Sequence, residues 1–94
     1  MLVTLQELKD HLRIEHPEED VQLTLLLRVA QASAEDFCKT CFKRSVPEPV
    51  RLAILLHASH FYTNRESNSV EAYSAMVKAF RALLWPYRNT EKLV

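Results

Sequence analysis

The stretch VPEPVRLAILLHASHFYTNRE, residues 46–66, decides the fold. Pro47 and Pro49 suit a helix start, because proline lacks the N–H that a first turn leaves unpaired and its φ is already near helical. At about 100° per residue, Val50, Ala53, Ile54, His57, Ala58 and Phe61 fall on one face. Leu52, Leu55, Leu56 and Tyr62 point the other way, so the segment is apolar nearly all round. Helices of that kind are normally buried. The pattern predicts a central rod, ending near Arg65-Glu66, on which other helices pack. In so short a chain, apolar surface left over on the rod would be covered by another subunit.

Towards the amino terminus, Thr4-Leu5-Gln6-Glu7 reads as a capping box: the threonine oxygen accepts from the third helical N–H and Glu7 reaches back to the cap. Leu5, Leu8 and Leu12 come next at helical spacing, predicting a short amphipathic helix over 5–12, with Ile14 tucked under the core. His16-Pro17-Glu18-Glu19-Asp20 opens a second helix, predicted over about 17–40. Pro17 suits its first position, and the acids complement the positive end of the helix dipole. Leu23, Leu26, Leu27, Ala30, Ala34, Phe37, Cys38 and Cys41 form one stripe, which Val21, Leu25, Val29 and Ala32 widen into a second apolar face. The small residues Ala30, Ala32, Ser33 and Ala34 permit close helix approach. Phe42 to Val46 is a short connection.

Towards the carboxyl terminus, Ser67-Asn68-Ser69 is the clearest loop, and Asn68 or Ser69 can cap the helix after it. The last helix is strongly periodic, with Tyr73, Met76, Val77, Phe80, Leu83, Leu84 and Tyr87 on one face. Pro86 should stop it, since the residue before a proline is pushed out of helical geometry. Residues 89–94 read as a frayed tail. The sum is an all-α fold: one four-helix domain, 1–94, around a central apolar helix.

Composition narrows the function. Ninety-four residues make one domain with a modest core. The absence of glycine argues against primed-turn hairpins, phosphate-cradling loops and dinucleotide fingerprints. The net charge is zero, but residues 1–20 carry six acids against two bases and residues 21–94 ten bases against six acids. That polarity would suit head-to-tail self-association, although a solvated acidic turn is the blander and preferred explanation. It is not the clustered basic face of a sequence-specific DNA binder. The longest strictly apolar run, Ala53 to Leu56, is far too short to span a bilayer, and no basic-then-apolar signal opens the chain. The expectation is a protein that is cytosolic where it is made, with no membrane contact and reduced cysteines.

Candidate chemistry is sparse. Cys38 and Cys41 with His57 and His60 supply four ligand types of a tetrahedral zinc site, but the spacing is not that of a ββα finger, and His57 lies on the core stripe. Core packing is the preferred reading, with no metal and no cofactor. No serine sits in a nucleophile elbow and no carboxylate pair is framed by a strand-end site. Glu35 and Asp36 read as solvent-facing. No catalytic residue is expected. Arg65 and Glu66, beside the aromatic pair Phe61 and Tyr62, can set geometry between helices or subunits. Trp85, beside Pro86-Tyr87-Arg88, is off the core stripe; Trp, Tyr and Arg are frequent interface anchors, although Trp85 capping the end of the bundle is the simpler alternative. Arg65, Glu66, Trp85, Tyr87 and Arg88 are therefore the interface candidates.

Taken in order, these pieces resemble the small head–tail connector (head completion, or adaptor) proteins of long-tailed bacteriophages and prophages. The resemblance is carried by Leu5-x-x-Leu8-Lys9-x-x-Leu12-Arg13-Ile14, the acidic turn Glu18-Glu19-Asp20, and Ala34-Glu35-Asp36-Phe37. It continues through Val46-Pro47, Val50-Arg51-x-Ala53-Ile54-Leu55, His60-Phe61-Tyr62-x-Asn64-Arg65-Glu66 and Leu83-Leu84-x-Pro86-Tyr87-Arg88. The aromatic-x-Asn-Arg-Glu ending and the terminal Pro-Tyr-Arg are the most telling. The chain departs from the pattern in a short, glycine-free connection between the second and third helices and a brief 67–70 linker, where family members often use longer loops.

The resemblance implies a structural virion protein without enzymatic activity. It implies a twelve-subunit ring beneath the portal at the head–tail junction, extending the DNA channel with only loose, non-specific DNA contact. A stopper or tail-completion protein would dock on its far side. The charge split suggests that the acidic amino-terminal end of one subunit faces a basic flank of the next (Lys39, Lys43, Arg44, Lys78, Arg81), which predicts salt-sensitive association. The alternative is a small helical adaptor or regulator that binds a partner through a helix-lined groove; a zinc-stabilised module and an enzyme built around His57 and His60 come after it.

Overall fold

The computed structural model describes residues 2–39, 47–64 and 70–88. Four α-helices run in order: α1 Leu5–Leu12, α2 Asp20–Cys38, α3 Glu48–Thr63 and α4 Val70–Leu84, with a 3-10 turn at Trp85–Tyr87. The described residues contain no strand. The molecule is flattened, about 45 × 32 × 18 Å. α3 touches each of the other three helices, as its sequence predicts, and α2 and α4 flank it.

Local chemistry sets the helix ends. Thr4 Oγ1 accepts from the Glu7 N–H at 3.1 Å, and Glu7 Oε1 accepts from the Thr4 N–H at 3.2 Å, so the capping box forms as read. α1 and α2 both end on a left-handed residue, Arg13 (φ 59°) and Lys39 (φ 58°). Glycine usually takes that position because a Cβ there costs roughly 1–2 kcal/mol. A chain with no glycine meets this cost with two cations, which also suit the negative ends of the helix dipoles. Beyond Arg13, the Ile14 N–H reaches the Lys9 carbonyl at 2.9 Å and turns the chain back, so Ile14 packs on the core as expected.

α2 begins three residues later than expected. Pro17 starts a turn closed by the Asp20 N–H on its carbonyl, and the helix proper starts at Asp20. Glu19 and Asp20 are engaged sideways at that point, Glu19 by the Tyr62 hydroxyl at 2.9 Å and Asp20 by Lys9 Nζ at 2.8 Å. Pro49 lies in the first turn of α3, whose N-cap position is Pro47. At the other end Asn64 donates to the His60 carbonyl, and α3 stops at Thr63, slightly short of the predicted end. α4 stops at Leu84 as Pro86 requires, but the chain continues for one 3-10 turn.

The core is the predicted set of stripes with corrected edges. Leu23, Leu27, Ala30, Ala34 and Cys38 of α2, Val50, Ala53, Ile54 and Ala58 of α3, and Met76, Phe80 and Leu84 of α4 are buried, joined by Leu8 and by Val3 ahead of α1. Val21, Leu25 and Val29 do not widen that core; they point into solvent at 86%, 60% and 46% exposure. The reason is geometric: on a 100° wheel they lie opposite Leu23 and Leu27, and a layer one helix deep has nothing beyond α2. For the same reason α3 is not enclosed all round, and Leu52 is exposed. Tyr73, expected in the core, is also exposed, resting against His60 and Phe61 in the first turns of α4.

Two polar staples fix α1, and neither is apparent from the sequence pattern. Lys9 is buried and pairs with Asp20. Arg51 reaches from α3 to the Glu7 carboxylate, to the Leu2 carbonyl at 3.3 Å and to Glu48 at 3.6 Å. The Leu2 N–H in turn donates to Gln31 of α2 at 3.0 Å.

Candidate interface surface

Among the described residues, three exposed regions stand out once the core is accounted for. The first is the outer stripe of α2, where Val21, Leu25 and Val29 lie beside Arg28. Leu25 forms a ridge between two shallow grooves, one lined by Asp20, Val21, Thr24 and Arg28, the other by Gln22, Leu26, Phe61 and Tyr62. The second is a groove between α3 and α4 lined by Glu48, Pro49, Arg51, Leu52, Leu55 and Leu83.

The third is the end of the bundle, where three of the predicted interface residues gather. Arg88 Nε donates to the Phe37 carbonyl at 3.1 Å, in the last turn of α2. Its guanidinium carbon lies 4.9 Å from the Phe37 ring centre and 5.2 Å from that of Trp85. α2 has no basic residue of its own in its last helical turn, so Arg88 joins the C-cap Lys39 in placing positive charge by its exposed carbonyls. Trp85 is left 63% exposed, stacked on a guanidinium that is already held. Tyr87 is half-buried and packs on the core edge, so it projects less than its position suggested. Arg65 and Glu66 lie outside the described residues.

Cys38, His57 and His60 all sit among packed neighbours. The Cys38 thiol points at the Leu84 carbonyl, 3.8 Å away. Burial raises its pKa and the charge of Arg88 opposes this. His57 sits between Phe61 and Phe80, at 5.0 and 5.1 Å between ring centres. Among the described residues, no group of three or more His, Cys, Asp or Glu gathers in a metal-binding arrangement; Cys41 lies outside them.

His57 Nδ1 is buried without a hydrogen-bond partner. Desolvation, and secondarily the neighbouring His60, push its pKa below the usual 6.5. The unfolded chain therefore takes up a proton near pH 6.5 that the folded one refuses. Stability should be fully present above about pH 6.5 and fall as the pH drops towards the depressed folded value. Thermal melts from pH 7.5 to 5 should show this decline, and His57→Leu should flatten the His57 part of it. An unchanged slope in that variant would assign the decline to other groups.

The acidic amino-terminal end is partly neutralised within the protomer, since Glu7 pairs with Arg51 and Asp20 with Lys9. Glu15 and Glu18 remain exposed. No described helix is long and apolar enough to cross a membrane.

What remains is a small helical body whose distinctive features are exposed apolar side chains. A family model, the phage gp6-like head-tail connector proteins, matches residues 2–88. The chain belongs to that family. The connector is thus a structural protein of the phage head–tail junction, and it assembles with other virion proteins. The match begins ahead of the capping box and ends at Arg88, so it takes in all four helices of the connector and both staples of α1. No curated protein and no solved structure matches the connector.

Proposed function

We propose that residues 1–94 act as one connector domain that forms the adaptor ring between portal and tail. The ring is twelve-fold, with the portal on one side and a stopper or tail-completion protein on the other. It lengthens the DNA channel, and its contact with the DNA is loose and non-specific. The observation that carries this reading is the amount of apolar surface a connector-family protomer leaves in solvent: Val21, Leu25, Leu52, Val70 and Trp85 among others. Such patches mark protein–protein contacts. The chain works by shape and charge complementarity and makes no covalent bond.

Trp85, Tyr87 and Arg88, with Arg65 and Glu66, are the proposed contacts to neighbouring proteins. Trp85 is the anchor among them, because a ring already stacked on a fixed guanidinium loses little freedom on docking.

Mixing the protein with purified portal oligomers of the same phage and imaging the product by electron cryomicroscopy tests the proposal. One axial ring with one chain per portal subunit is the expected product. A chain that stays monomeric at saturating portal would favour the helical-adaptor alternative. Trp85→Ala should melt like the wild type yet bind portal or tail-side partner about tenfold more weakly or worse. Unaltered binding to both would leave Trp85 as an end cap only.

A further inference from the structure

We infer that neighbouring subunits in the ring meet through the outer stripe of α2 on one copy and the α3–α4 groove on the next. The two helices run antiparallel, with Arg28 against Glu48, Leu25 against Leu52, and Val21 against Leu55. The inference rests on the ring reading and names its self-contact.

Spacing is the first support. Val21, Leu25 and Arg28 fall at i, i+4 and i+7 of α2; Glu48, Leu52 and Leu55 fall at i, i+4 and i+7 of α3. Each set spans seven residue steps, about 10.5 Å of rise, and covers the same arc of roughly 60° at about 100° per residue. Val21, Leu25 and Arg28 of the first arc and Glu48 and Leu52 of the second are exposed, while Leu55 is half-buried, lining the groove and packing on the core edge. Reversing one against the other places apolar residues on apolar residues and the two charges together.

Charge complementarity is the second. Among the described residues, Arg28 has no acidic partner. Glu48 has an 89% exposed side chain and only a 3.6 Å contact to Arg51, whose guanidinium is already held by Glu7 and the Leu2 carbonyl. A cation next to one apolar stripe thus answers a loosely held anion next to the other.

The stripes share no residue, so each subunit can use both at once. This is the heterologous arrangement that closes into a ring. Three residues a side bury far less than the roughly 800 Å² per partner of a stable complex. The contact therefore holds only when the portal gathers the subunits, where closure and templating add to it.

The test is charge reversal on portal-loaded protein, read as chains bound per portal by native mass spectrometry. Arg28→Glu and Glu48→Arg should each reduce loading at limiting concentration by tenfold or more, and the double variant should recover most of it. Independently, Leu25→Cys with Leu52→Cys on one chain, in a Cys41→Ser background, should give a disulfide ladder of multimers on the portal. Either single cysteine, facing a leucine on its neighbour, should give no cross-link. If wild-type chains load but the reversals load equally well and no ladder forms, this contact is wrong while the ring stands. If wild-type chains do not load, the ring reading fails first and takes the contact with it.

Discussion

Leu27→Ala lowers the stability of the protomer by about 2–5 kcal/mol, whereas Leu25→Ala, two residues earlier on the same helix, changes it by no more than about 0.5 kcal/mol. Leu27 is 1% exposed and packed among α2 and α3 side chains; Leu25 is 60% exposed. Truncating the first leaves a cavity in a one-layer core with little capacity to collapse around it. For a domain of this size each kcal/mol shifts the melting temperature by roughly 4–8 °C. The first variant should therefore melt about 8–40 °C lower, against a total stability of only about 5–15 kcal/mol. Its far-ultraviolet melt is the measurement. Equal losses from the two substitutions would mean that α2 presents a different face to α3. Leu25→Ala should instead weaken loading on the portal while leaving the melt in place.

The second large effect belongs to Arg51→Ala. Arg51 joins three parts of the chain that the core alone does not lock: the Leu2 carbonyl ahead of α1, Glu7 in its first turn, and Glu48 at the start of α3. Removing the guanidinium strands a partly buried carboxylate and a backbone carbonyl, at a cost of about 1–3 kcal/mol. The loss should be local. Hydrogen exchange should accelerate over residues 5–12, with α2 and α3 amides changing less, because α1 is a helix of only eight residues and is marginal without tertiary support. Arg51→Lys should recover little, since a single ammonium cannot reproduce the planar fork that serves several acceptors. A uniform increase across all helices would show instead that the staple supports the whole bundle.

The stripes of α2, α3 and α4 are legible in the sequence because helical periodicity is a strong signal and the buried positions repeat it. The Thr4–Glu7 box and the Pro86 stop are legible because each is a local rule with a local cause. The outer face of α2 is not, because apolar composition does not say how many layers a small domain has. Val21 and Leu25 look like core until the flatness of the molecule is known. Lys9 and Arg51 escape notice as staples because their partners, Asp20 and Glu7, lie eleven and forty-four residues away, and no periodicity links them. At the end of the bundle, Trp85 and Arg88 stand out from residue type alone, but that Arg88 reaches the last turn of α2 emerges only from the fold. The third-helix residue Leu52 signals surplus apolar surface in the sequence and marks the α3–α4 groove in the structure.

The alanines buried along α2 and α3 carry a mechanical consequence. Ala30, Ala34, Ala53 and Ala58 are all 0% exposed, and alanine has no side-chain rotamers to exchange. A seam made of such residues offers few alternative packings, so the two helices move as a single stiff plate. In the proposed ring, the bend between one copy and the next would then be set at the seam between copies, where a small change of side chain would alter the closure angle and with it the number of copies in a circle.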